Sequence, residues 1–260
     1  MKRAIVLLKP SPHYRRDSFV AGLQRLGFTI VNRIDKPRPD DVFVTWNLSG
    51  GLEKMAQTFE RAGARVLVME NGYLSPPDRP MYAISLGGHN GAGRTPTGDA
   101  SRWEALGIQC KPWRTSGKHY LVCGQRGIGS REMASPHAWH QKTAEKLQRV
   151  TSRPIRTRAH PGNRPSGAPP LQHDLRDALA CVIWASSSGV RALVEGVPVF
   201  YAAPHWICAA GAYRFKRPED IEQQLVDDAA RAKALHHMAN GQWDCIEIAT
   251  GEPLLRTLEC

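Results

Sequence analysis

The chain has 260 residues, the length of one large domain or two small ones, and is 42% hydrophobic and 23% charged, which supports a sizeable core and excludes wholesale disorder. Its 35 Lys and Arg against 24 Asp and Glu leave a formal charge of +11. That excludes an acidic tail protein and favours a polyanionic partner: nucleic acid, nucleotide phosphates or an anionic membrane face.

In chain order, Arg3–Leu8 is a short apolar run stopped by Lys9-Pro10, too short for a secretory h-region, and it reads as a first strand. Asp17–Leu26 follows with Phe19, Val20, Leu23 and Leu26 at helical spacing, then the strand Asp41–Trp46, the helix Gly51–Ala62 and the strand Arg65–Glu70. A further short strand is expected at Met81–Leu86 and a helix at Asp99–Leu106, with Asp99 as its N-cap. The alternation restarts with His119–Cys123, a helix over His137–Val150, and strands at Pro154–Arg158 and Ala180–Trp184. A helix at Gly189–Glu195, the strand Pro198–Tyr201 and a last long helix within Pro218–Asn240 complete it.

Strand–helix alternation of this kind implies βαβ units and parallel sheets with helices on both faces. The fold class is therefore α/β, two Rossmann-like halves facing across a cleft. The expected domains are 1–116, 117–240, and a tail, 241–260, packing back on the first half. No stretch approaches the roughly 20 apolar residues of a membrane span. The six cysteines are far apart without a CxxC pair, which fits reduced thiols in a cytoplasmic protein and offers no spacing for a metal site.

In α/β sheets the ligand sits at the carboxyl ends of the strands, so the residues just beyond each strand are the candidates. Ser186-Ser187-Ser188-Gly189 lies between a strand and a helix start, where hydroxyls and free N–H groups can hold a phosphate; ordinary serine capping is the bland alternative. Glu195, further along that helix, is either a ribose contact or a solvated charge. Arg156, Arg158 and His160 alternate to one side of a strand, a set suited to a departing phosphate or else to a solvated surface. Gln125-Arg126-Gly127 forms a Gly-containing turn after His119–Cys123. In the N-terminal half, Glu70 and His89 sit on Gly-rich loops and are the candidates for the base that deprotonates an acceptor hydroxyl, unless their roles are structural.

The pair Arg158-Ala159-His160-Pro161 and Ser186-Ser187-Ser188-Gly189, about 25 residues apart, with the run Ala192-Leu193-Val194-Glu195-Gly196-Val197-Pro198-Val199, resembles the donor domain of GT-B glycosyltransferases. The likeness is to the branch with a His-Pro and a serine-rich motif, which includes bacterial sialyltransferases and capsular Kdo transferases. The N-terminal loops also look like those of small glycosyltransferase-like proteins from phages and proteobacteria. The resemblance covers residues 119–205 and implies a metal-independent transferase with no cofactor beyond a nucleotide-sugar donor, for example a UDP-sugar. It makes 117–240 the nucleotide-sugar side and 1–116 the acceptor side, and implies donor contacts in the His-Pro and serine-rich motifs. With the strand-end reading, the candidate donor contacts are Gln125, Arg126, Gly127, Arg158, His160, Ser186, Ser187, Ser188, Gly189 and Glu195, and the catalytic candidates are Glu70, His89 and His160. The acidic two-carboxylate-Gly motif of sialyltransferases is absent, Glu70-Asn71-Gly72 being the nearest equivalent, and there is no DxD motif.

Between residues 102 and 164 there are 13 Lys and Arg against three Asp and Glu, whereas 201–260 carries six against nine. That basic segment makes DNA a candidate partner, with a hydroxymethylated pyrimidine in phage DNA as the expected acceptor. Tyr14, Trp46, Trp103, Trp113 and Trp139 are candidates for stacking on bases or sugars. The alternatives are a polysaccharide or capsule-type transferase at the inner membrane face, and a non-catalytic nucleotide or nucleic-acid binding protein.

Overall fold

A computed structural model describes residues 1–163, 169–223 and 226–260; Arg164 and parts of the predicted 161–170 loop and 218–240 helix lie outside these. The elements in order are β1 (Arg3–Leu7), α1 (Arg16–Arg25), β2 (Thr29–Ile30), β3 (Val42–Thr45), α2 (Gly51–Arg61), β4 (Arg65–Asn71), β5 (Met81–Leu86) and α3 (Ser101–Glu104). Then come β6 (His119–Cys123), α4 (Trp139–Leu147), β7 (Ile155–Arg158), α5 (Leu171–Leu175), β8 (Ala178–Ile183), α6 (Ser187–Val194), β9 (Val199–Tyr201) and β10 (Tyr213–Arg214). The chain closes with α7 (Asp228–Asn240), β11 (Gln242–Asp244), α8 (Cys245–Thr250) and α9 (Glu252–Leu258). The fold is α/β of the GT-B-like kind, divided into two compact units. Unit 1 is Met1–Arg102, Gly129–Glu132 and His237–Cys260; unit 2 is Trp103–Ile128 and Met133–His236.

Unit 1 holds a six-stranded sheet in the order β11-β5-β4-β3-β1-β2. Strands β2, β1, β3 and β4 are parallel, as the alternation implies, but β5 runs antiparallel to both of its neighbours, β4 and β11. The uniformly parallel expectation is corrected here for a simple reason. Nine residues separate β4 from β5, and a parallel return needs a crossover of a dozen or more. Val6, Val44 and Met69 on one face pack with Phe19 and Leu23 of α1 and Leu254 of α9. On the other face Ile5, Phe43, Val66 and Val68 pack against Ala56 and Phe59 of α2. This two-sided burial explains why the strands read as continuous apolar runs. The chain end re-enters unit 1 through local signals: Asp244 accepts from the N–H groups of Ile246 and Glu247, each at 2.9 Å, and Glu247 reaches back to the Asp244 N–H.

At the start of β1, Arg3 donates to the fully buried Asp41 through Nε at 2.8 Å, and the Arg38 N–H donates to it at 2.8 Å. The Arg3 guanidinium, then these backbone and charge contacts, hold the Asp41 carboxyl below the usual carboxylate range. A depressed folded-state pKa means that the stabilisation is complete above the unfolded carboxyl's value and is lost as pH falls through the folded one. Asp41→Asn is expected to cost roughly 2 kcal/mol at pH 7 and to flatten the acid limb of a urea-melt series between pH 5 and 2. Equal midpoints for both proteins at pH 7 would remove this pair from the account of stability.

Unit 2 holds a five-stranded, all-parallel sheet in the order β10-β9-β8-β6-β7. Tyr120, Val122, Ala180, Val182 and Phe200 form its core with Ala144 and Leu147 of α4. Residues 103–116, assigned to the first domain on sequence, belong to this unit. The Lys111 N–H donates to the Val194 carbonyl at 2.8 Å and the Arg114 N–H to the Gly196 carbonyl at 2.7 Å, pinning the segment to the end of α6. No helix among the described residues is long and apolar enough to cross a membrane.

Candidate functional site

In unit 2 the chain goes from β6 to β7 on one side and then to β8 on the other, so the order reverses at the β6/β8 boundary. Open α/β sheets bind ligands outside the carboxyl ends of the strands at such a switch point. The loops delivered there are Gly124–Gly127 after β6, His160–Gly162 after β7 and Ser186–Gly189 after β8. The Gln125 side chain ties two of them together, its Oε1 accepting from the Ala185 N–H at 2.7 Å. Gly127 is in the left-handed region at φ 68°, where a side chain is strained.

Ser186 caps α6, its Oγ accepting from the Ser188 N–H at 3.2 Å. Ser187 is exposed, and the Ser188 Oγ is buried without a hydrogen-bond partner among the described residues. Gly189 allows the helix to seat: a Cβ there would lie 2.5 Å from Ile183 Cδ1 and 2.7 Å from Trp206 Cζ2. The cap alone satisfies one N–H; the remaining first-turn N–H groups and the helix dipole favour an anion.

His160 accepts from the Gly162 N–H through Nδ1 at 3.0 Å, which leaves the ring proton on Nε2. Burial, and then the neighbouring Arg126 guanidinium, push its pKa down, so it is a neutral donor. Arg126 itself is exposed beside Gly162. Arg158 is placed differently from the sequence expectation. It forms an ion pair with Asp174 and donates to the Pro169 carbonyl at 3.1 Å, so its charge is spent inside the unit. Glu195 lies at the far end of α6, roughly 12 Å along the axis from the serines. It accepts from Lys111 Nζ at 2.6 Å, which removes it from the phosphate end. Arg191 was missed on sequence. It sits one turn from Ser187 on the same helix face, and i,i+4 spacing from the serines is the signal that finds it.

In unit 1, Glu70 and the loop carrying His89 come together at the end of β4. Glu70 is half-buried, and its Oε1 accepts from the Tyr73 hydroxyl at 2.6 Å and the Asn90 N–H at 3.1 Å. The buried Gln242 of β11 clamps the same turn, accepting from the Tyr73 N–H at 2.9 Å and donating to the Leu74 carbonyl at 2.7 Å. Asn90 takes a left-handed conformation, φ 51°, which suits asparagine better than most residues. The His89 Nδ1 is buried without a hydrogen-bond partner among the described residues. Tyr73, Asn90 and Gln242 are the site residues that sequence missed; the last is some 170 positions from the carboxylate that it helps to hold, so no local pattern links them.

The chain shares its fold with two Kdo transferase structures. KpsC β-Kdo 2,7 transferase of Thermosulfurimonas dismutans superposes with a TM-score of 0.55 at 14% identity, over 98% of this chain and 99% of that one. KpsC β-Kdo 2,4 transferase of the same organism gives 0.53 at 12% identity, over 90% and 89%. No protein-family model matches the chain, and no curated protein matches its sequence.

Several cations of the basic segment have partners within the chain, Lys111 and Lys118 at the surface. Arg102 pairs with Glu247, Lys111 with Glu195 and Lys118 with Asp177, while Arg114 donates to the Leu175 and Ala178 carbonyls and Arg153 to Gly117. Two predicted stacking residues are likewise committed: Trp113 lies under the Arg231 guanidinium at 4.1 Å, and Trp139 packs against Trp184 at 5.7 Å.

Proposed function

We propose that the chain is a glycosyltransferase that moves a sugar from a nucleotide-sugar donor to a hydroxyl of a glycan acceptor. The observation that carries this is the convergence of the α6 N-terminus, Arg126 and the neutral His160 at the carboxyl ends of β8, β6 and β7. The likeness to the two Kdo transferases supports it. In this reading Ser187, the orphaned Ser188 hydroxyl and the first N–H groups of α6 hold the donor phosphate, and Arg126 balances its charge.

Glu70 accepts the proton of the acceptor hydroxyl, whose oxygen forms a new bond to the anomeric carbon. The bond from that carbon to the phosphate oxygen breaks, and the electron pair leaves on the nucleotide, stabilised by the His160 Nε2–H and by Arg126. A glycan acceptor is favoured over DNA because two structures that share the fold are Kdo transferases. The test is a mass-spectrometric transfer screen pairing CMP-, UDP- and GDP-sugars, a CMP-Kdo arm included, with acidic oligosaccharides and with hydroxymethylated DNA. Glycan products are expected, and Ser187→Ala with His160→Ala should abolish them. Product on DNA alone would restore the DNA acceptor; nucleotide binding without turnover on any acceptor would favour a binding protein.

A further inference from the structure

Unit 1 has a switch point of its own. β2 flanks β1 on one side and β3 on the other, with Leu7 opposite Thr45 at the carboxyl end of the β1/β3 pair. Aromatic rings gather at this end. Trp46 follows β3 directly, and β3 pairs with β4, whose last two residues are Glu70 and Asn71. Tyr14 meets Trp46 edge-on, with centroids 4.6 Å apart and planes at 86°, and His13 stands 5.5 Å from Trp46 and 4.9 Å from Tyr14. Behind them the buried Tyr82 lies 6.2 Å from Trp46, and its hydroxyl donates to the His13 carbonyl at 3.0 Å.

The cluster is wet on one side and anchored on the other. Tyr14 and Trp46 are half-buried against the core, while His13 and Lys9 are exposed. Lys9 Nζ sits 5.9 Å from the Tyr14 ring centroid and makes no ion pair among the described residues. Arg15, by contrast, is near Asp17 at 3.7 Å. Rings fixed by one another lose little freedom on binding, and they offer apolar area with polar edges. The C–H face of a pyranose matches such a surface, and one cation at its rim matches one carboxylate on the sugar. A polynucleotide strand brings a phosphate for each base and needs a track of cations.

We infer that Trp46, Tyr14 and His13 are the platform on which the acceptor's terminal sugar ring stacks, with Lys9 engaging an acidic group of that sugar. The inference rests on the transferase reading and deepens it: it assigns the acceptor to the acidic sugars and places its ring one strand over from the proposed base.

The test uses the whole chain on an array of uronic-, sialic- and Kdo-terminated oligosaccharides, neutral counterparts and DNA oligonucleotides, with nucleotide-sugar affinity measured in parallel by calorimetry. Wild type is expected to retain acidic glycans. Trp46→Leu should lower that retention about tenfold or more, and the exposed changes His13→Ala and Lys9→Gln should weaken it without altering the melting temperature or nucleotide affinity. Lys9→Gln should also erase the preference for acidic over neutral sugars. Glycan retention within twofold of wild type in both exposed variants overturns the platform, as does capture of DNA in place of glycans or of no array member at all. Glycan retention that needs the platform residues in a protein that binds no nucleotide sugar supports the platform and overturns the transferase reading instead.

Discussion

Glu70→Gln is expected to slow sugar transfer by roughly 10²–10⁴-fold at saturating donor while leaving nucleotide affinity and melting temperature at wild-type values. The glutamine carbonyl can still accept from the Tyr73 hydroxyl and the Asn90 N–H, so the turn keeps its shape. What it loses is the basic oxygen: Oε2 carries no hydrogen bond among the described residues and is the atom open to an acceptor proton. Tyr73→Phe removes only one of the two donors to Oε1, and its smaller effect should appear in the rate rather than in donor binding. Initial rates measured by mass spectrometry decide this. A Glu70→Gln protein that turns over like wild type would move the base elsewhere, with His89 on the adjoining loop the next to replace.

The second large effect is expected on the donor side. His160→Ala should weaken nucleotide-sugar binding roughly 10–150-fold, the value of a hydrogen bond to a charged group. The ring has one tautomer available, because the Gly162 N–H occupies Nδ1. Burial and Arg126 keep it neutral by lowering its pKa, so protonation of His160 should not limit donor affinity as pH rises from 7 to 9. Arg126→Ala removes one of the two causes and should move the His160 titration upward, read from the ring resonances in an NMR pH series. Calorimetry that finds equal affinity in wild type and His160→Ala would detach the His-Pro turn from the donor.

Much of the architecture is written locally. The strands of unit 1 that lie within the parallel sheet are apolar on both faces, as in Val42-Phe43-Val44, and they announce themselves without any partner in view. The stop signals behind them, Ser186-Ser187-Ser188-Gly189 above all, mark where a strand yields to a helix. The turn from β4 into β5 has no such local signature, because hairpin or crossover depends on connection length and not on the strand's own residues.

The site is less local still. Arg158 and Glu195 look like donor contacts in the sequence because their charges are visible there, yet Asp174 and Lys111 neutralise them from other elements. Charge counted along a segment overstates charge available to a ligand, since Arg114 and Arg153 are turned onto backbone carbonyls.

The sequence by itself determined the α/β class, the order of most elements and the positions of the loops beyond the strands. Those follow from periodicity and from chain stiffness over a few residues. Tertiary structure alone decided which charges are paired, that Gln242 clamps the turn of Glu70, and that Tyr14 and Trp46 meet at the carboxyl end of one sheet. Each of these depends on side chains distant in sequence being brought within about 3–6 Å, the range at which hydrogen bonds, ion pairs and ring contacts act.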